Sequence, residues 1–151
     1  MTIHGIGVDL LHVPRMAALI NRRGAKRIAS RVLSPSERSA FGRIWSENLD
    51  EQGTTATQFL GVRYVLVVSS FKKLNGHRWA VKEAAYKALY PLRPTWKELS
   101  YTAFDRQTGS KPTLFFHPGG GDVSSQRPRL HVSVSHDGEY ILAHVVAENV
   151  A

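Results

Sequence analysis

The chain has 151 residues, 42% of them hydrophobic and 21% charged, which is enough for one domain with a buried core and too little for two ordinary ones. With no cysteine, a disulfide framework and a thiolate metal site are excluded, leaving oxygen and imidazole as the ligands for any metal. The formal net charge of +8 is concentrated in one stretch, where Arg15, Arg22, Arg23, Lys26, Arg27, Arg31, Arg38 and Arg43 are accompanied by Glu37 alone. Such a field attracts nucleic acid, anionic lipid or an acidic protein without choosing among them, unless the stretch is simply a solvated helical face.

Residues 3 to 11, IHGIGVDLL, alternate: Ile6, Val8 and Leu10 point one way, Gly5, Gly7 and Asp9 the other. This predicts a strand with one bare face. Pro14 opens a helix with Met16, Leu19 and Ile20 at helical spacing, interrupted or ended at Gly24. In SPSE, Ser34 reads as an N-cap, Pro35 as the first helical residue and Glu37 as the return arm of a capping box; the helix they open is predicted to run to about Trp45. Ser46 to Gln58 is polar and aperiodic, a loop, whereas Val62 to Val68 is strand-like, and no helix start is evident until His77 or Arg78. Trp79 to Leu89 is predicted helical, stopped by Pro91. Beyond it, Leu99 to Phe104 and Thr113 to Phe116 form a predicted hairpin around DRQTGSKP, and GGGDVSSQRPR is a loop. Leu130 to His136 and Glu139 to Val146 flank the turn signal Asp137-Gly138. Strand, helices, then strands is the order of an α+β domain.

Asp9 follows two glycines on one strand face, so backbone or a ligand can come close to its carboxylate. That setting suits a hard cation, and it equally suits an aspartate that caps the following turn. GIGVD is not a dinucleotide fingerprint, because the third glycine is missing. Glu83 and Lys87 lie four apart on one helical face, acid before base. On spacing alone they form an ordinary surface ion pair worth about 0.3–0.5 kcal/mol. Against that, the Ala80, Ala84, Ala88 stripe and the bulky Trp79, Tyr86 and Tyr90 predict a helix packed closely over much of its surface. His136, ending VSVSH, is either an exposed turn histidine or a phosphate donor, and His4, His12, His117, His131 and His144 lack zinc-site spacing.

Taken together and in this order, GIGVDLLHVPRM, RVLSPSE, RWAVKEAAYKAL, GSKP and VSVSHDGEYILAHVV resemble the holo-acyl-carrier-protein synthase family of 4′-phosphopantetheinyl transferases. The resemblance covers almost the whole chain and rests most firmly on WxxKEAxxKA downstream of GxGxD. It implies a single-domain fold, an antiparallel sheet packed with helices. It also implies transfer of 4′-phosphopantetheine from coenzyme A to a serine of an acyl carrier protein, in support of fatty acid biosynthesis. Phosphoryl transfer from a pyrophosphate calls for a cation, and Mg²⁺ takes one or two carboxylates plus substrate oxygens and water. The resemblance puts Asp9 and Glu83 in that role, with Lys87 as a fixed charge toward the phosphates. The serine proton falls to Glu83 or to a metal-bound water. Lys111 of GSKP and His136 match family positions near coenzyme A, with Lys82 a weaker candidate. The acidic carrier protein is expected to dock on the helix after the GxGxD strand, at Arg15, with Arg22 and Arg23 beside it. The family forms homotrimers with sites between protomers.

One departure concerns residues 62–76, an atypical insertion within the single domain. In the family pattern, the residues matching Phe59-Leu60 almost directly precede those matching Arg78-Trp79 in continuous helix; here VLVV and Asn75-Gly76 oppose a helix. The segment reads as a translated intron or mispredicted exon boundary, with a genuine loop-out as the alternative. Two other functional readings follow from the sequence. One is a basic nucleic-acid-binding module, which lacks interleaved aromatics and a reader motif. The other is an inactive relative disabled by the insertion. With interleaved aromatics and a reader motif missing, no nucleic-acid partner is expected; no apolar run approaches the roughly 20 residues that span a bilayer, so no membrane partner is expected either, and MTIHGIGVDLL shows no targeting segment. The expected compartment is cytoplasm or mitochondrion.

Overall fold

The computed structural model describes residues 2–39, 76–105, 107–119 and 127–150. Five strands, β1 (Thr2–His12), β2 (Leu99–Thr102), β3 (Thr113–Phe116), β4 (Arg129–Asp137) and β5 (Tyr140–Asn149), form one antiparallel sheet in the order β1-β5-β4-β3-β2. Helix α1 is Val13–Arg23 and α2 is Ala25–Val32. Residues 35–39 (α3) and 76–88 (α4) are also helical, and a 3₁₀ turn covers Trp96–Glu98. This is the α+β arrangement the sequence predicts. The predicted helix is seen at 35–39, and its continuation to Trp45, the loop over 46–58 and the strand-like run over 62–68 lie outside the described residues, as does the insertion apart from Gly76.

Local chemistry explains most boundaries. Pro14 sits in the first turn of α1, and Gly24 ends that helix at φ +82, a conformation that favours glycine. The Ser34 capping box forms as its sequence implies. Ser34 N donates to Glu37 Oε2 at 2.7 Å, and Glu37 N donates to Ser34 Oγ at 3.4 Å. Asp137 pairs with Tyr140, so β4 and β5 join through the two-residue loop Gly138-Glu139, with Gly138 at φ +52. The strand predicted from Leu99 stops at Thr102 rather than Phe104, since Ala103 and Phe104 have no ladder partner.

Register decides which face is covered. The rows Gly7–Val145–Val132, Asp9–Ala143–Val134 and Leu11–Ile141–His136 share one face, and α4 lies against it. The core joins Leu11, Ile141, Ala143, Val145 and Ala147 of the sheet to Ala80, Val81, Ala84, Ala85, Ala88 and Leu89 of the α4 region. Met16 and Ile20 of α1, Ile28, Ala29 and Val32 of α2, and Leu33, Leu99, Tyr101 and Leu114 also belong to it. The opposite face of β1 and β5 stays bare. There Ile6, Val8, Leu10, Tyr140 and Leu142 are all exposed.

Candidate active site

The two glycines before Asp9 make room for a helix. A Cβ at Gly5 would collide with the Ala88 carbonyl oxygen, and one at Gly7 with the Ala84 carbonyl oxygen. Ala80, Ala84 and Ala88 are wholly buried, so the backbones of α4 and β1 meet with almost no side chain between them. His4 ties the far end of the same contact, its Nε2 lying 3.3 Å from the Leu89 carbonyl oxygen. Of the two occupants the bare strand face admits, the backbone of α4 is the one found.

That close approach delivers α4 side chains to the end of β1. Lys87 Nζ donates to the Val8 carbonyl oxygen at 2.7 Å and pairs with Asp9 Oδ1 at 3.0 Å. Lys87 is about half exposed, and two of its three donors are used, leaving one that faces outward. Glu83 is only partly buried and senses both neighbours. Burial raises its carboxyl above the ordinary 4.5, the Asp9 charge raises it further, and Lys87 pulls it back down. Lys87 thus forms its ion pair with Asp9 rather than with Glu83, which feels its charge without a direct pair among the described contacts. The three form a cluster of two carboxylates and one ammonium at the seam of helix and strand.

Lys82 is placed differently. Its ammonium is buried and donates to Glu37 Oε2 at 2.5 Å, to the Val32 carbonyl oxygen at 2.7 Å and to the Trp96 carbonyl oxygen at 3.0 Å. All three donors are committed inside the protein, so the ammonium has none for a cofactor phosphate. Burial lowers its pKa below the ordinary 10.5, and the Glu37 carboxylate opposes that shift. Glu37 and Arg78, which the sequence reading did not select as site residues, meet at 3.4 Å on the other carboxylate oxygen. The available signal was the pairing of Arg78 and Lys82 at four-residue spacing with a lone acid in a basic stretch.

The remaining candidates lie apart from the cluster. His136 occupies the covered face, two strands from β1 in the Leu11 row, with its ring 5.9 Å edge-on from that of His77 at the start of α4. Lys111 lines a cleft of about 900 Å³ between β3 and β4, together with Arg127, Arg129 and His131. Lys111 precedes β3 by two residues, and β3 is three strands from the β1 of Asp9, roughly 14 Å across the sheet at ~4.8 Å per strand. On α1, Arg15 and Arg22 flank a groove of about 480 Å³ floored by Met16, Leu19 and Trp79, and Arg23 is exposed at the helix end. Among the described residues no three histidines, aspartates or glutamates cluster as a metal site.

A family model described as the 4′-phosphopantetheinyl transferase superfamily matches residues 5–145. The holo-[acyl-carrier-protein] synthase of Edwardsiella ictaluri is 32% identical, over 98% of this chain and 99% of that protein. The mitochondrial holo-[acyl-carrier-protein] synthase of Candida glabrata is 27% identical over 95% and 93%. In fold, the chain is similar to a holo-(acyl-carrier-protein) synthase of Bacillus anthracis solved with coenzyme A (3′,5′-ADP). That structure is 21% identical, with a TM-score of 0.61 over 99% of this chain and 100% of that one. The glycine-bare strand, the KEA helix laid across it and a match over nearly the whole length agree: the chain belongs to the holo-acyl-carrier-protein synthase family of the 4′-phosphopantetheinyl transferase superfamily.

Proposed function

We propose that this protein transfers 4′-phosphopantetheine from coenzyme A to a serine hydroxyl of an acidic apo acyl carrier protein, with Mg²⁺ held by Asp9 and Glu83, in support of fatty acid biosynthesis. The observation that carries the reading is the meeting of Asp9, Glu83 and Lys87 at the α4–β1 seam. Their donor set fits the cation: two oxygen-bearing side chains, and no thiol or imidazole in the cluster, suit a hard ion that keeps its other positions for water and phosphate. When bound, Mg²⁺ would neutralise charge on the pyrophosphate.

The chain's own residues supply the rest. The serine oxygen bonds to the β-phosphorus of coenzyme A, the bond from that phosphorus to the bridging oxygen breaks, and adenosine 3′,5′-bisphosphate leaves with the electron pair. The serine proton goes to the Glu83 carboxylate, whose affinity for a proton is raised by burial and by Asp9 in the chain without the cation. Lys87, anchored on Val8 and Asp9, presents its outward donor to a phosphate oxygen as a fixed charge. Lys111 and His136 hold the phosphates of coenzyme A. The groove between Arg15 and Arg22, with Arg23 at its end, receives the carrier protein: an apolar floor rimmed by cations suits an acidic, amphipathic helix.

The functional unit in this proposal is a homotrimer of single-domain protomers. The exposed Ile6, Val8, Leu10 and Leu142 on the bare sheet face support self-association. The separation of Lys111 from Asp9 supports a site completed by a neighbour's Lys111. The compartment in this proposal is cytoplasm or mitochondrion; the names of two relatives, from Candida glabrata and Aspergillus fumigatus, place those proteins in the mitochondrion. Phosphopantetheine transfer to apo carrier protein, followed by intact-mass spectrometry with and without Mg²⁺, tests the function. Light scattering tests the trimer.

A further inference from the structure

We infer that Glu37 and Lys82 are positioning residues for the transfer site: their buried ion pair fixes the rotation of α4 about its axis and so aims Glu83 at Asp9. The inference rests on the proposed roles of Glu83 and Asp9. It is carried by three contacts on one ammonium, because Lys82 joins the end of α2 at Val32, the cap of α3 at Glu37 and the 3₁₀ turn at Trp96. Arg78, one turn earlier on the same side of α4, reaches the second oxygen of the same carboxylate. Glu37 itself cannot swing, since Ser34 N and Tyr101 N donate to its two oxygens at 2.7 and 3.1 Å. Two rungs of α4 are thereby gripped by one immobile acid.

The strand side of α4 holds it less rigidly. Against Gly5 and Gly7 that side presents Ala84 and Ala88, whose small-residue contact sets distance but resists rotation weakly, and its bonds to Val8 and Asp9 come from Lys87, a half-exposed side chain on a flexible stem. Glu83 lies between the two sides, about 100° from Lys82 and about 100° from Ala84. A turn of α4 by a fraction of that angle would carry the Glu83 carboxylate away from Asp9 while leaving the core residues buried.

A merely structural pair and a positioning pair respond differently when both charges are removed together. The double variant Glu37→Gln/Lys82→Met removes the buried pair as a unit; its single amide oxygen accepts from one of Ser34 N and Tyr101 N, and Arg78 loses its carboxylate partner. Replacing a buried ion pair as a unit is often neutral for stability, whereas removing one partner is not. The experiment compares wild type, Lys82→Met and the double variant by thermal unfolding and by kcat and KM for the carrier protein. It also measures Mn²⁺ affinity by electron paramagnetic resonance in the presence of coenzyme A. The expected result is a double variant that folds and melts cooperatively, with kcat down at least about tenfold, KM for carrier protein within about twofold, and Mn²⁺ bound at least about tenfold more weakly. Wild-type kcat and Mn²⁺ affinity in the folded double variant would overturn the inference. If the double variant does not fold, Arg78→Lys replaces it, shortening one grip only: weakened Mn²⁺ binding supports the inference and unchanged binding overturns it. The Mn²⁺ arm reads the geometry without turnover, so a wild-type protein inactive on carrier protein would defeat the proposed function and leave this test standing.

Discussion

Gly7 and Ala84 are in backbone contact: a Cβ on Gly7 would occupy the space of the Ala84 carbonyl oxygen. The alternating strand and the alanine stripe are thus two halves of one device that brings Glu83 and Lys87 to Asp9. Gly7→Ala must push α4 away from β1, and overpacking of this kind costs about 1–3 kcal/mol. Transfer activity should fall at least about tenfold with it. Gly109→Ala is the control. Gly109, unlike Gly7, has a positive φ, +67, and nothing lies within 4 Å of its Cβ position. It should lose about 1 kcal/mol from backbone strain and keep its activity. Denaturant unfolding and a transfer assay on both variants check the contrast.

Glu83 should cost the fold stability at neutral pH. Its carboxyl titrates above the ordinary 4.5, so the folded chain holds that proton more tightly than the unfolded one. Stability from this group therefore falls as pH rises above the unfolded value, and the loss is complete once pH passes the folded value. Glu83→Gln should be more stable than wild type at pH 7, with the gain vanishing as pH falls below 4.5. It should also lose at least ~10²-fold in turnover. Melting curves across pH on the two proteins read the first effect, and a transfer assay the second.

Glu98 should act in the opposite direction. The backbone N–H of Gly119 donates to its Oε1 at 2.6 Å, and Thr95 N and Oγ1 donate to Oε2. These bonds hold its carboxyl below the ordinary 4.5, Gly119 contributing most. Its contribution is present above the unfolded value and is lost as pH falls through the lowered folded value. Glu98→Gln should therefore shrink the stability difference between pH 7 and pH 3, measured by urea unfolding.

Arg15 and Arg22 flank the α1 groove, and reversing either charge should act on the carrier protein alone. Arg15→Glu or Arg22→Glu should raise KM for carrier protein about tenfold, equivalent to ~1.4 kcal/mol, and leave KM for coenzyme A unchanged. The wild-type KM should rise steeply with salt, and the variants' less so. Steady-state kinetics with each substrate varied in turn separate the two effects.

Much of the architecture was legible because it is local. The capping box of Ser34 and Glu37, the proline at the start of α1 and the glycine turn between β4 and β5 each depend on neighbours a few residues away, although that turn is Gly138-Glu139, one residue later than the Asp137-Gly138 signal. The site was legible in part: GIGVD and the KEA helix carry their glycines and alanines in the sequence, but only register puts Gly7 opposite Ala84. The fate of Lys82 was not legible. A lysine beside a catalytic glutamate looks like a phosphate ligand, and its direction is set by Val32, Glu37 and Trp96, which lie 50, 45 and 14 residues away. Tertiary partners decide such a case, and spacing within one helix does not contain them.

The central claim is that Asp9, Glu83 and Lys87 form a Mg²⁺-dependent phosphopantetheine-transfer site. Intact-mass spectrometry of apo acyl carrier protein, incubated with coenzyme A and the purified protein, tests it most directly. The account predicts a gain of one phosphopantetheine that requires Mg²⁺ and is lost in Asp9→Asn and Glu83→Gln. No mass gain with folded wild-type protein, or undiminished transfer by either folded variant, would contradict it.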